Sequence, residues 1–399
     1  MTLLHQASSK DLAQLLIEHG ANVVSQCKGS TTPLHHACLG GNVDVAQLLI
    51  EHGADAASQS NDGTTPLHWA SEGDDVDLAW LLIEHGADTV AQDEDGTTPL
   101  HLASGEGHVD MVWFLIEHGA DVAAQSNDGT TPLHRVSKRG HLDVARLLIE
   151  HSADATAQNE DGTTPLHQAS KLGRVDVAQL LIKYGADAAA QSEDGTTPLH
   201  RASEGSVDMV RFLIRHGADT AAQDDDGRTP LHQASKWGHV HVARLLIEHG
   251  ADAAAQDEDG TTLLHLASQY GHVDVAMLLI EHGTDAAAAQ TEGGTTPLHL
   301  ASERGHVDMT RLLIEHGADV TVQSKDGTTP LDRASLRGHV GVARLIERAA
   351  NAVAQNKDGT TLPGASERGR VDGSAPHRAR RRRSSPYVTD VAAKKMKLI

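Results

Sequence analysis

The sequence predicts an all-α solenoid of stacked helix-turn-helix units with short β-hairpin or turn tips, and three observations carry that expectation. The tetrapeptide Thr-Pro-Leu-His recurs with its histidine at 35, 68, 101, 134, 167, 200, 232 and 299, and with Leu for Pro at His5 and His265. Successive histidines therefore stand 30, 33, 33, 33, 33, 33, 32, 33 and 34 residues apart, and self-similarity at a fixed period of this size marks a repeat array. Only 9 of the 399 residues are aromatic, too few to fill the centre of a large conventional domain. Finally, each repeat holds two short apolar stretches at helical spacing, separated by glycine. The array is expected to occupy 1–365 as about twelve repeats, the first and last incomplete: an eleventh copy has Asp332 in place of His, and a twelfth has decayed to Thr361-Leu362-Pro363-Gly364.

The repeat around 193–223 shows why each element forms. Asp194-Gly195 is a turn signal, because glycine tolerates the positive φ that tight turns demand. Thr197 offers an N-cap hydroxyl, and Pro198 sits at the first helical position, where its missing N–H costs nothing. This first helix directs Leu199 and Ala202 inward and is expected to stop near Gly205. A second helix follows. Asp208 complements the macrodipole at its start, Met209, Phe212 and Leu213 share one face, and Gly217 supplies the left-handed residue after its end. Two helices of this length have no interior, so each unit must bury its apolar face on the units above and below.

The run Asp194-Gly195-Thr196-Thr197-Pro198-Leu199-His200, followed in most copies by Leu-Leu-Ile-Glu-His-Gly-Ala-Asp, resembles the ankyrin repeat family. The resemblance implies an L-shaped repeat, tips projecting at right angles to the helix pairs, a concave groove that binds proteins, and a motif histidine that ties its turn to the next by hydrogen bonds. The family's usual second Ala of the first helix is replaced here by Ser71, Ser104 and Ser203. The Asn that some members hydroxylate is replaced by Ala57, Val90, Ala123 or Ala189, so that modification is not expected.

Charge and cysteine usage narrow the function classes. The segment 366–399 carries 10 Lys and Arg against 3 Asp and Glu, leaving 23 basic and 52 acidic residues, a net charge of −29, in 1–365. Nucleic-acid binding rests on Lys and Arg neutralising phosphates, so this body is expected to bind no nucleic acid. Cys27 and Cys38 cannot staple a chain of this length, which points to a reducing compartment. No apolar run approaches the roughly 20 residues of a membrane helix. The expected location is the cytoplasm, with the nucleus as the alternative, and the chain is expected to be monomeric.

Of the 28 histidines, ten belong to the motif, nine precede the helix-2 glycine position (19, 52, 85, 118, 151, 216, 249, 282, 316) and six open the second helix (108, 141, 239, 272, 306, 339). Equivalent positions one repeat apart stand roughly 8–10 Å apart, too far for two nitrogens to share a zinc ion. The histidines are therefore read as structural, with no metal and no cofactor. The acidic tips Asp93-Glu94-Asp95-Gly96, Asp224-Asp225-Asp226-Gly227 and Asp257-Glu258-Asp259-Gly260 fail the calcium-loop pattern, since aligning Gly227 at its glycine puts Ala222 at the first ligand position. They read as solvated turns, or as an acidic rim attracting a partner with a basic surface. No Gly-x-Ser-x-Gly, phosphate-binding loop, His-Glu-x-x-His or Cys-x-x-Cys occurs, so no enzymatic activity is expected.

Specificity is then expected where repeats differ. The residue after the motif histidine varies (Trp69, Arg135, Arg201), as do two positions before the first-helix glycine (Lys138, Arg139, Lys171, Trp237, Tyr270). On the second helix, Trp80 and Trp113 hold an otherwise mostly polar position in consecutive repeats. These ten are the candidate partner-binding residues. The expected function is a non-catalytic protein-interaction scaffold that binds a partner protein through its groove and tips; the alternative is a detached repeat segment serving as the recognition module of a larger multidomain signalling or effector protein.

The basic tail, 366–399, is expected to be disordered, lacking apolar periodicity and turn chemistry. Arg380-Arg381-Arg382-Arg383 and Lys394-Lys395-Met396-Lys397 resemble a bipartite nuclear-import signal. However, the repeat's own Val-Ala-Arg-Leu-Leu-Ile-Glu-His-Gly-Ala-Asp-Val-Ala-Ala, back-translated with suitable codons and read two bases out of frame, gives Gly-Ser-Ala-Pro-His-Arg-Ala-Arg-Arg-Arg-Arg-Ser-Ser-Pro. That is 373–386 without a mismatch. It follows the Val371-Asp372 that belongs at the start of a second helix, so the tail reads as a frame-shifted continuation of the array. Resequencing the gene across Asp372 is expected to show further repeat text in the alternative frame beyond Pro386; its absence would restore the import signal.

Overall fold

The structure is a computed structural model that describes residues 2–286 and 289–357. The chain divides into two units, 1–353 and 354–399; the basic tail, the decayed twelfth copy and the frame-shifted segment lie outside the described residues. The first unit is built from paired helices. In the copy around 98–119, Thr98 is extended (φ −102°, ψ 164°) and its hydroxyl caps a helix Pro99–Glu106. Gly107 turns the chain at φ +88°, and the second helix, Val109–Glu117, ends at His118 before Gly119. Leu100, Ala103, Met111, Val112 and Leu115 are fully buried between layers. Eleven such pairs run through the described residues, from a 3₁₀ turn Leu3–Gln6 with helix Lys10–Glu18 to the pair Pro330–Leu336 and Val340–Lys357.

First helices stack on first helices and second helices on second helices of the adjacent copies. One continuous apolar core of Leu, Ala, Val and Met results, with Phe114 the one buried Phe, Tyr or Trp among the described residues. That arrangement accounts for the shortage of aromatic residues, because thin layers of aliphatic side chains close each interface.

Three local departures have sequence causes. The helix Pro198–Ala202 stops short of Gly205, because its unit is one residue shorter than its neighbours; Ser206 then caps the following helix in place of histidine. The last helix runs on to Lys357 where other copies end, since Glu347-Arg348-Ala349-Ala350 replaces the Glu-His-Gly stop with good helix formers. The tips, expected as β-hairpins or turns, are turns. Asp93 N–H bonds to the Thr97 carbonyl (3.0 Å) and Gly96 N–H to the Asp93 carbonyl (2.9 Å), leaving arms too short for a ladder. Among the described residues only Gln256 and Thr262 form a β-bridge. Instead, successive tips bond to each other: Glu94 N–H to Asp62 O (2.9 Å), Asn127 N–H to Asp95 O (2.8 Å), Glu160 N–H to Asp128 O (2.8 Å).

Because every such contact joins neighbouring layers, damage in the middle is expected to stay local. Leu213 is fully buried in the helix Val207–Arg215. Leu213→Asp is expected to destabilise its layer by several kcal/mol and to convert denaturant unfolding to a multi-step transition. A single cooperative transition with unchanged slope would contradict nearest-neighbour stacking.

Candidate functional site

The motif histidines link most first helices to the tip of the next copy. His35 Nε2 lies 3.1 Å from the Thr64 carbonyl, 29 residues on, and a carbonyl only accepts, so the ring proton is on Nε2. Nδ1 therefore carries the lone pair and accepts the Thr32 N–H at 3.2 Å and the Thr32 hydroxyl at 2.9 Å. This is a capping box with histidine where Glu or Gln usually stands. The same forward bond runs from His68 to Thr97 (3.0 Å), His101 to Thr130, His134 to Thr163, His167 to Thr196, His200 to Arg228 and His265 to Thr295 (each 2.9 Å). His232 is the exception: its Nε2 meets no partner within hydrogen-bonding geometry. At the eleventh copy Asp332 accepts from Thr329 N–H (2.9 Å) and hydroxyl (2.7 Å) but has no proton to pass on.

The other two histidine classes close helix ends. His52, His85, His118 and His249 Nδ1 each donate to the carbonyl four residues back at 2.8 Å, satisfying an orphan acceptor of the last turn. The second-helix histidines reach backward: His141 Nε2 to Gly105 O (3.1 Å), His272 to Lys236 O (3.0 Å) and His339 to Glu303 O (3.0 Å). Their rings lie over the preceding layer's glycine, so that a Cβ on Gly238 would clash with His272 Nδ1. Layers are thus laced in both directions.

The acidic tips fold themselves. Asp93 Oδ1 accepts from Asp95 N–H (3.0 Å) and Thr97 N–H (2.7 Å), and Asp224 and Asp257 do the same in their turns. Asp194 shows the electrostatics: burial works to raise its pKa, but hydrogen bonds from Ser192 and Thr196, with Arg201 nearby, outweigh it and hold the carboxyl at about 2.

Along the first-helix ends and tips the variable side chains meet. Arg135 lies over Gly105, whose missing side chain leaves its nearest contact at Arg135 Cδ, 3.8 Å from a built Cβ. The guanidinium donates to Thr97 Oγ1 at 2.9 Å; burial lowers its pKa and Asp128, Asp93 and Asp95 oppose that. With exposed Lys138 and Arg139 it lines a cavity of about 410 Å³ that also includes Glu72, Glu106 and Asp161. Arg139 pairs with Glu106 at 3.4 Å. Farther along, Arg201, paired with Asp194 and Glu204 at 3.7 Å, and Trp237 line a second cavity of about 260 Å³, and Tyr270 a third of about 230 Å³. Lys236 Nζ lies 5.5 Å from the Trp237 ring centroid.

The remaining candidates do not join this row. Lys171 is exposed at the end of the helix Pro165–Lys171 and lines none of these cavities. Trp69 packs partly against the core, its buried indole N–H without a partner. Trp80 and Trp113 are 50% and 52% exposed on the second helices Val76–Glu84 and Val109–Glu117, away from the groove cavities. The residues that sequence reasoning passed over are Cys27 and His36. Among the described residues they and His5 form the one group of side chains spaced to hold a metal ion; the available signal was that no other copy has Cys or His at the positions of Cys27 and His36.

A family model described as "Ankyrin repeats (3 copies)" matches overlapping segments from residue 3 to residue 290, from 3–93 through 218–290. A second, "Ankyrin repeats (many copies)", matches 279–334. No curated protein matches the chain. Among the described residues no helix is long and apolar enough to cross a membrane.

The lacing has a pH signature. Burial pushes His101, His167, His232 and His265 from 6.5 down to about 4. Between these values the unfolded rings are protonated and the folded ones are not, so the unfolded state binds more protons and stability falls with falling pH. The urea midpoint is expected to be level above neutrality and to drop from pH 6.5 towards 4, each ring contributing about 3 kcal/mol once both values are passed. The Asp194 carboxyl, held at about 2, adds its loss only at more acid pH. A midpoint unchanged down to pH 4.5 would contradict neutral, buried rings.

Proposed function

The chain belongs to the ankyrin repeat family, and from that premise we propose that it is a non-catalytic scaffold which binds a partner protein through the groove lined by its first-helix ends and tips. Ankyrin repeats are a protein-interaction module. The observation that carries the groove reading is the clustering of repeat-breaking residues there: Gly105, Arg135, Lys138 and Arg139 surround one cavity of about 410 Å³. A helix-interior glycine costs about 1 kcal/mol relative to alanine, and at 105 it opens room beside an arginine. Trp237 and Tyr270 extend the row with aromatic anchors of the type that dominates interfaces. The acidic tips favour a partner with a basic surface, and the same reading serves whether the repeats act alone or as the recognition module of a longer protein. A second reading places docking on the opposite face, and it rests on the half-exposed indoles of Trp80 and Trp113.

Substitutions already tolerated by the array separate the two. Arg135→Gln copies Gln168 and Gln233, and Gly105→Gln copies Gln269; Trp80→Gln and Trp113→Gln copy Gln47 and Gln179. With partners captured on the wild-type chain and identified by mass spectrometry, the groove double variant is expected to lose at least tenfold in affinity and the indole double variant to keep it. The reverse pattern would move binding to the second-helix face, and unchanged binding in both would overturn the groove reading.

A further inference from the structure

We propose that His5, Cys27 and His36 form a binding site for a thiophilic cation, Zn²⁺ by its chemistry, that pins the first layer of the array to the second. Their ligand atoms all lie within 4.8 Å of one another. They come from three different registers of the repeat: the motif histidine of the first copy, a tip residue of the second and the residue after the second motif histidine. The 8–10 Å separation that keeps equivalent histidines from sharing a metal therefore does not apply to them.

The three groups converge on Thr31. His5 Nε2 bonds to its carbonyl at 3.1 Å, while Cys27 Sγ and His36 Nε2 meet its hydroxyl at 2.7 and 3.3 Å. The His5 and His36 rings stand edge to face at 5.3 Å between centroids. Tetrahedral zinc with Zn–N of 2.0–2.1 Å and Zn–S of 2.3 Å needs ligand atoms about 3.5 Å apart. Rotation of the half-buried His36 and Cys27 side chains supplies that closure, and a water completes the fourth position. An N₂S donor set suits zinc rather than magnesium or calcium.

Ligation redistributes protons in a defined way. The Cys27 thiol releases its proton to solvent, and the His5 proton leaves Nε2, which becomes the ligand, for Nδ1, where it is donated to the Thr2 hydroxyl 2.9 Å away. The Thr2 N–H then turns to water, which is feasible here because Thr2 is exposed, whereas the equivalent threonines of the following copies, such as Thr32 and Thr65, are buried. A metal joining His5 to Cys27 and His36 cross-links the first copy to the next.

Co²⁺ titration of the chelator-stripped full chain tests this. One equivalent is expected to give the near-ultraviolet thiolate-to-cobalt charge-transfer band and the visible bands of tetrahedral cobalt, all removed by Zn²⁺. Cys27→Ser, a residue present at Ser60, Ser126 and Ser192, and His36→Gln, as in Gln168 and Gln233, leave the repeat's own chemistry in place. Each is expected to abolish the charge-transfer band with unchanged far-ultraviolet circular dichroism, while Cys38→Ser, which removes a buried thiol elsewhere, retains it. No band on titration, or a band that survives Cys27→Ser, would overturn the proposal.

Discussion

A neutral imidazole shared between the start of one helix and the turn of the next layer is the interaction on which this architecture depends. Each motif ring accepts from the N-cap threonine of its own helix and, except at His232, donates to a carbonyl about 29 residues on, as His134 does with Thr131 and Thr163. One side chain thereby fixes where a helix begins and how far the following tip stands from it. Because the ring is buried, both of its nitrogens need partners, and only the unprotonated Nε2–H tautomer satisfies both at once. Asp332 shows what is separable: it keeps the cap and loses the forward link.

The second-helix histidines complete the constraint from the other side. His272 and His306 bond back to Lys236 and Gln269, and their rings occupy the space above Gly238 and Gly271. Layer spacing is thus set by polar contacts at both ends of the first helix, while aliphatic packing supplies the burial between them. Positions outside this lacing are free to vary, and the variable side chains Arg135, Lys138, Arg139, Trp237 and Tyr270 stand among them. A rigid ladder that leaves one edge unconstrained is a natural way to present an adjustable binding surface.

Much of this was legible in the sequence because the repeat states its own rules. Thr-Pro, replaced by Thr-Leu in two copies, fixes each first-helix start, the glycines fix the ends, and a mostly polar column containing Trp80 and Trp113 marked those indoles as exposed. Other features depend on distances that no pattern of residue types encodes. The tips were read as hairpins or turns, since Asp-Gly favours both; whether the arms pair depends on their length and on the neighbouring tip that captures their N–H groups. Trp69 was placed among interface candidates for its variability, but its ring packs partly on the core. Of the serines that replace the usual alanine, Ser71, Ser104 and Ser137 are buried with hydroxyls lacking a partner, whereas Ser203 donates to the Leu199 carbonyl at 2.7 Å, a difference invisible in the sequence. Likewise His5, Cys27 and His36 meet only because stacking brings different registers together.

The most direct test of the shared imidazole is to observe its protons. Long-range ¹H–¹⁵N correlation of the histidine side chains at a pH of about 5.5, between the free value and the buried one, distinguishes the two ring nitrogens and the charged state. The account predicts a set of neutral rings protonated at Nε2, with an unprotonated, hydrogen-bonded Nδ1, for the buried motif histidines His101, His167, His232 and His265. Motif rings that are doubly protonated at this pH, or neutral with the proton on Nδ1, would contradict it.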